Sequence, residues 1–138
     1  MTPRKQETNS QRRALLAEDN TFIRELVATY LEKLGYEVSQ APNGADAIDI
    51  LNQSSDQHFD VIVTDLLMPK ASGDRVIKEA RRSGACDRFL VMSGNLYDPK
   101  FTSEDPDPDS EFIEKPFTFT DFEAKLSDLG CKQKAELS

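Results

Sequence analysis

The chain has no run of about 18 consecutive apolar residues, the length a membrane-spanning helix needs, and no apolar stretch in its polar, basic N-terminus MTPRKQETNSQRR. Neither a membrane span nor a secretory signal is supported, and a cytoplasmic location is expected. Cysteine is scarce: Cys86 and Cys131 lie far apart without metal-ligand spacing and read as reduced side chains rather than halves of a disulfide. Basic residues are outnumbered, 17 against 25 acids for a net charge of −8, which excludes a broad nucleic-acid-binding face. The one basic cluster, Arg4, Lys5, Arg12 and Arg13, falls in and at the end of what reads as a disordered leader, residues 1–12. The single histidine, His58, reads as a solvated loop residue. No internal repeat is evident. The first apolar run is followed by AEDNTF, which lacks the glycine-rich turn of a dinucleotide-binding domain.

What is present is alternation. With 138 residues and 38% hydrophobic composition the chain suits one domain with a sizeable core. RALLAED (13–19) predicts a buried strand, and NTFIRELVATYLEKLG (20–35) predicts a helix, with Ile23, Leu26, Val27, Tyr30, Leu31 and Leu34 at helical spacing and Gly35 as the stop. YEVSQA is a second strand, NGADAIDILNQ a second helix capped by Asn43, and FDVIVTD a third strand. GDRVIKEARRSG is a third helix, and RFLVMSG a fourth strand. Strands taking turns with helices imply a parallel sheet covered on both faces. The rhythm falters in NLYDPKFTSEDPDPDSE, where Pro99, Pro106 and Pro108 remove backbone donors and six acids face one lysine. A full helix is not expected over 97–109, and the domain is expected to be monomeric because this acidic segment disfavours self-association. EFIE is a short fifth strand, and TFTDFEAKLSDLG closes the domain (13–130) with Thr118 or Thr120 as cap and Gly130 as stop, leaving 131–138 as a frayed tail.

In an open parallel sheet the carboxyl ends of the strands share one edge, and ligands bind there where the strand order reverses. Glu18 and Asp19 end the first strand, Asp65 the third, Ser93 the fourth and Lys115 the fifth. Three carboxylates crowded together raise one another's pKa, and Lys115 alone leaves the group short by two charges. A divalent cation supplies the difference, and hard oxygen donors favour Mg²⁺.

These residues in this order resemble the receiver domain of two-component response regulators, over roughly Arg13 to Gly130. The matching pieces are Glu18-Asp19, TDLLMPKASG around Asp65 with Met68-Pro69 and Gly73, VMSG with Ser93, and EFIEKPF with Phe112, Lys115 and Pro116. The resemblance implies a doubly wound, flavodoxin-like α/β fold with five parallel strands in the order 2-1-3-4-5, the fourth helix being degenerate here. It implies that Asp65 accepts a phosphoryl group from the phosphohistidine of a histidine kinase or phosphotransfer protein. Asp19, Asp65 and the backbone carbonyl of Leu67 would hold Mg²⁺, with Glu18 acting through a water. Lys115, turned into the site by a cis Lys115-Pro116 peptide, and the Ser93 hydroxyl would contact phosphoryl oxygens, helped by the amides of Leu67 and Gly94. Phe112 and Ser93 would form the switch, and Ile23 would lie where histidine-bearing partners dock. With no output domain after the last helix, a stand-alone regulator would signal by binding a downstream protein or relay the phosphate.

Other readings are an unphosphorylated pseudo-receiver, a receiver cut from a hybrid kinase, and an aspartate-nucleophile phosphohydrolase. The last wants a second acid two residues after Asp65, where Leu67 stands. A phosphoacceptor without enzymatic turnover is therefore expected.

Overall fold

The computed structural model describes residues 12–53, 58–68, 70–94 and 110–137, with side chains up to 129. Strand β1 (Arg12–Ala17) leads to helix α1 (Thr21–Lys33), β2 (Tyr36–Ala41), α2 (Gly44–Gln53), β3 (Val61–Asp65), α3 (Gly73–Ser83), β4 (Phe89–Ser93), β5 (Ser110–Glu114) and α4 (Phe119–Leu137). All five strands are parallel, in the order β2-β1-β3-β4-β5. The order reverses at β1, which pairs with β2 on one side and β3 on the other.

Alternation along each strand divides the core in two. Ala14 and Leu16, Val61 and Val63, Leu90 and Met92, and Ile113 pack on one face beneath Val27, Ala28 and Leu31 of α1 and Phe122 and Leu129 of α4. Leu15, Ala17, Ile62 and Phe89 pack on the other against Ala47 and Leu51 of α2 and Val76 and Ala80 of α3. Such strands, buried on both faces, read as continuous apolar runs because a parallel sheet needs helices on either side. Tyr30 of α1 meets the rings of Phe119 and Phe122 with centroids 5.2 and 5.7 Å apart, so aromatic contacts seat α4 beside α1.

The helix ends obey local chemistry. Asn20 caps α1 by accepting from the Ile23 N–H at 2.9 Å, and Asn43 caps α2 through the Asp46 N–H at 2.8 Å. Of the two expected caps for the last helix, Thr118 serves: its hydroxyl accepts from the Asp121 N–H while the Asp121 carboxylate accepts from the Thr118 N–H, both at 3.1 Å.

Two boundaries differ from expectation. Arg12 belongs to β1 and not to the leader, one residue ahead of the expected strand start at Arg13: Arg12 lies over the Tyr36 ring and Arg13 over Phe59, while the Arg13 backbone N–H donates to the Asp60 carboxylate at 2.8 Å. A basic residue can extend an apolar strand when its stem covers a ring. Gly130 does not stop α4, which runs on to Leu137. Glycine lowers helix propensity by about 1 kcal/mol relative to alanine, and the Lys-Gln-Lys-Ala-Glu-Leu that follows consists of good helix formers. The expected break over 97–109, the rest of the leader, and the side chain of Cys131 lie outside the described residues. Cys86 is buried, and burial pushes its thiol up to about 12, consistent with an inert core side chain. His58 is exposed ahead of β3, as expected.

Glycine is required where two segments touch. A Cβ at Gly44 would fall on the carbonyl of Ala71, and one at Gly73 on the carbonyl of Asp65, so α2 and α3 both press on the β3–α3 connection. Gly44→Ala is expected to destabilise the protein by about 1–3 kcal/mol in urea unfolding, because the obstructing atoms are backbone. Gly94→Ala, where an added Cβ meets nothing within 4 Å among the described residues, is expected to stay within about 0.5 kcal/mol of the parent.

Candidate functional site

The register of the sheet brings the strand ends together. Ala17 pairs with Thr64, so Glu18 and Asp65 leave β1 and β3 side by side; Asp65 pairs with Met92, and Ser93 with Glu114, which places Ser93 and Lys115 next along the same edge. Glu18, Asp65 and Lys115 continue the rows that carry Leu16, Val63 and Ile113, and hence point toward the same face of the sheet.

Lys115 joins them. Its Nζ lies 3.0 Å from Glu18 Oε1 and 3.2 Å from Asp65 Oδ2, linking the ends of β1 and β3 to the residue that follows β5. Glu18 is 1% exposed and Asp65 7%, whereas Asp19 is exposed. The Glu18 carboxylate also accepts from the Asn20 N–H through Oε2 at 3.0 Å, so the acid that could have capped α1 instead faces inward and leaves that task to Asn20. The Lys115-Pro116 peptide is cis, and the Lys115 N–H donates to the Ser93 carbonyl at 2.8 Å.

One ammonium shared by two buried carboxylates leaves negative charge in surplus. Burial raises the Glu18 carboxyl above its ordinary value despite the hydrogen bonds from Asn20 and Lys115. Burial likewise raises Asp65, with Lys115 pulling it down and Asp19 pushing it up. Burial works to lower Lys115, but its hydrogen bond to Glu18 and the charges of Asp65 and Glu18 outweigh it and raise its pKa. For both carboxyls burial is the leading cause, and it outweighs the pull of Lys115. Carboxylate oxygens of Glu18, Asp19 and Asp65 lie within 4.8 Å of one another, close enough to share one cation. The donor set is all oxygen and fits a hard divalent ion such as Mg²⁺.

A model of the response regulator receiver domain matches residues 14–127. This chain belongs to the response regulator receiver domain family. The receiver is 33% identical over 121 residues to the probable transcriptional regulator ycf27 of Cyanidium caldarium, covering 86% of this chain but 46% of that protein. It is 32% identical over 113 residues to the response regulator receiver protein CpdR of Brucella abortus, covering 80% of this chain and 89% of that one. The chain thus spans about half the length of ycf27 and most of CpdR. Among solved structures, the Thermotoga maritima response regulator TrrA, in complex with Mg²⁺-BeF, superposes with a TM-score of 0.69 at 27% identity, covering 86% of this chain and 98% of that one. Receivers of this family are phosphoacceptor signalling domains that bind Mg²⁺ at an acidic pocket and interact with histidine kinases or phosphotransfer proteins.

The receiver brings Glu18, Asp19, Asp65 and Lys115 into one pocket, with Ser93 buried at the neighbouring strand end and Gly94 exposed beside it. Phe112 is half-buried on β5 opposite Val91. Ile23 packs against the core, and the exposed large apolar side chains among the described residues are Phe22 and Leu26 on α1 and Leu67 after β3. Three participants were missed from the sequence. Asn20 binds Glu18 and caps α1, Arg24 donates to the Glu18 carbonyl at 2.9 Å, and the Thr64 hydroxyl donates to the Asp65 carbonyl at 2.9 Å. An Asn directly after the acid pair was the one available signal, since that residue type is a favoured helix cap. Among the described residues no helix is long and apolar enough to cross a membrane.

The raised carboxyls set the sign of the pH response. Folding favours the protonated form of Asp65 and Glu18, so their contribution is fully present below the ordinary values of 3.8 and 4.5 and is lost as pH rises through the raised native values. Lys115 has the same sign at a different window: its contribution persists up to its ordinary 10.5 and is lost only as pH rises through a still higher native value. Asp65→Asn in buffer free of divalent ions is therefore expected to raise the thermal midpoint at pH 7, with Lys115 still held by Glu18. The gain should vanish as the pH is taken below about 4, where both chains are uncharged at this position. An unchanged or lower midpoint at pH 7 would contradict a carboxyl raised by burial at Asp65.

Proposed function

We propose that Asp65 accepts a phosphoryl group from the phosphohistidine of a histidine kinase or phosphotransfer protein. The observation that carries this reading is the Lys115 ammonium held between Glu18 and Asp65 at the switch point of the sheet. An Asp65 carboxylate oxygen attacks phosphorus, the P–N bond to the histidine breaks, and the imidazole leaves with that electron pair and takes up a proton. The product is an acyl phosphate on Asp65. Lys115 then trades Asp65 for a phosphoryl oxygen while keeping Glu18, and the Ser93 hydroxyl and the N–H groups of Leu67 and Gly94 donate to the remaining oxygens. Mg²⁺, when bound, would offset charge on the transferring phosphoryl group. Asp19, Asp65 and the Leu67 carbonyl would hold it. Glu18, whose two oxygens already accept from Lys115 and Asn20, would reach it only through a water.

A histidine-bearing partner helix would rest beside the acidic pocket at Ile23, with Phe22 and Leu26 on α1 and Leu67 after β3 offering exposed apolar side chains. Movement of Ser93 toward the phosphoryl group would be passed to Phe112 on the adjacent strand, and the altered face would be read by a downstream protein or the phosphate relayed onward. The domain is proposed to act as a monomer in the cytoplasm.

Incubation with Mg²⁺ and a small acyl phosphate is expected to add one phosphoryl group per chain by intact mass. Asp65→Asn should abolish the addition, and Asp19→Asn or chelation of the metal should slow it at least tenfold, as expected for removal of a metal ligand. Undiminished labelling of Asp65→Asn would refute the assignment.

A further inference from the structure

Every polar atom of Glu18 has a partner within the protein. Its N–H donates to the Ala41 carbonyl at 3.1 Å, Oε1 accepts from Lys115 at 3.0 Å, and Oε2 accepts from the Asn20 N–H at 3.0 Å. Its carbonyl oxygen accepts from Arg24 Nη1 at 2.9 Å. Arg24 makes a second bond to the same turn, its backbone N–H donating to the Asn20 carbonyl at 2.8 Å. The carbonyls on either side of Asp19, those of Glu18 and Asn20, are therefore both held by this one residue, one through its guanidinium and one through its backbone.

The backbone bond belongs to the first turn of α1 and would form with any residue but proline at position 24. The guanidinium bond is specific. It spans six residues, is partly shielded from solvent, and pins the peptide from which Asp19 projects. A turn that carries adjacent carboxylates beside a third, Asp65, is pushed apart by its own charge when no cation lies among them. Lys115 restrains the Glu18 side chain, but Asp19 is exposed and depends on its backbone for direction.

We propose that Arg24 is a positioning residue for the cation site: through the Glu18 carbonyl it holds the β1–α1 turn so that the Asp19 carboxylate stays beside Asp65. It contacts neither ion nor phosphoryl group. The proposal rests on the metal role given to Asp19 above, and deepens it by naming what keeps that carboxylate in place before an ion arrives.

Calorimetric titration of the full chain with Mg²⁺ alone tests this without any partner protein that might also touch α1. Arg24→Met, which keeps an apolar stem and loses the donor, is expected to weaken Mg²⁺ binding about tenfold, the low end for loss of a group that orients a metal ligand. Arg24→Lys, which keeps a cationic donor of similar reach, should recover most of the loss. Metal-free Arg24→Met should also exchange the amides of Asp19 and Asn20 faster than the parent. A role in folding alone would lower the thermal midpoint and leave the Mg²⁺ affinity of the folded protein unmoved, and that result would overturn the proposal. If Arg24→Met does not fold, Arg24→Gln carries the same expectation, its amide being too short to reach. Asp19→Asn is the control: if it binds Mg²⁺ as well as the parent, the metal role of Asp19 fails and the positioning role falls with it, whereas a weakened Asp19→Asn beside an unaffected Arg24→Met overturns the positioning role alone.

Discussion

A half-buried ammonium shared by two buried carboxylates organises this domain. Lys115 reaches Glu18 and Asp65 at once, and in doing so ties the carboxyl ends of β1 and β3 to the segment beyond β5. Each charge is costly to remove from water, and neither carboxylate could be buried as an anion without the lysine. One cation cannot neutralise two anions with Asp19 close by, so the pocket retains negative charge, while burial raises both carboxyls above their ordinary values. In the proposed function, the same surplus would give a divalent cation, or a lysine handed over to a phosphoryl group, something to act on.

The sheet makes that sharing possible at small cost. Parallel strands in register end along one edge, and the reversal of order at β1 opens a crevice between the connections of β1 and β3. The apolar rows beneath Glu18, Asp65 and Lys115 are filled by Leu16, Val63 and Ile113, so the three charged groups stand on a packed floor. Tyr30, Phe119 and Phe122 lock α4 to α1, which fixes the approach of the chain leaving the cis Lys115-Pro116 peptide.

Restraint at the pocket extends into the connections. Gly44 and Gly73 let backbone press directly on the β3–α3 connection, and Arg24 and Asn20 bracket the acid pair from α1. Lys70, with φ of 74°, holds the left-handed region that non-glycine residues seldom occupy, so the connection carries backbone strain between these restraints. The proposed exchange of a salt bridge for a phosphoryl contact would need ligand-bearing turns that are preorganised while the groups that move stay few.

The alternation of apolar runs with amphipathic stretches determined the parallel α/β architecture, because only helices on both faces can cover strands that are apolar throughout. The residue types at the strand ends likewise determined that an acidic, cation-demanding pocket would form, since any parallel sheet collects those ends on one edge. What lay beyond the sequence were choices between neighbours of similar chemistry. Glu18 and Asp19 are adjacent acids, and only the register of β1 against β3 decided that Glu18 turns inward to Lys115 while Asp19 stays exposed. Ile23 and Phe22 are adjacent hydrophobes on α1, and the rotation of the helix set by Val27 and Leu31 decided which meets the core. Arg12 read as leader until Tyr36 supplied a ring for its stem, and Gly130 read as a stop although glycine weakens a helix without forbidding it. Local pattern determines what a segment can be, whereas helix phase and strand register are settled by contacts between segments far apart in the chain.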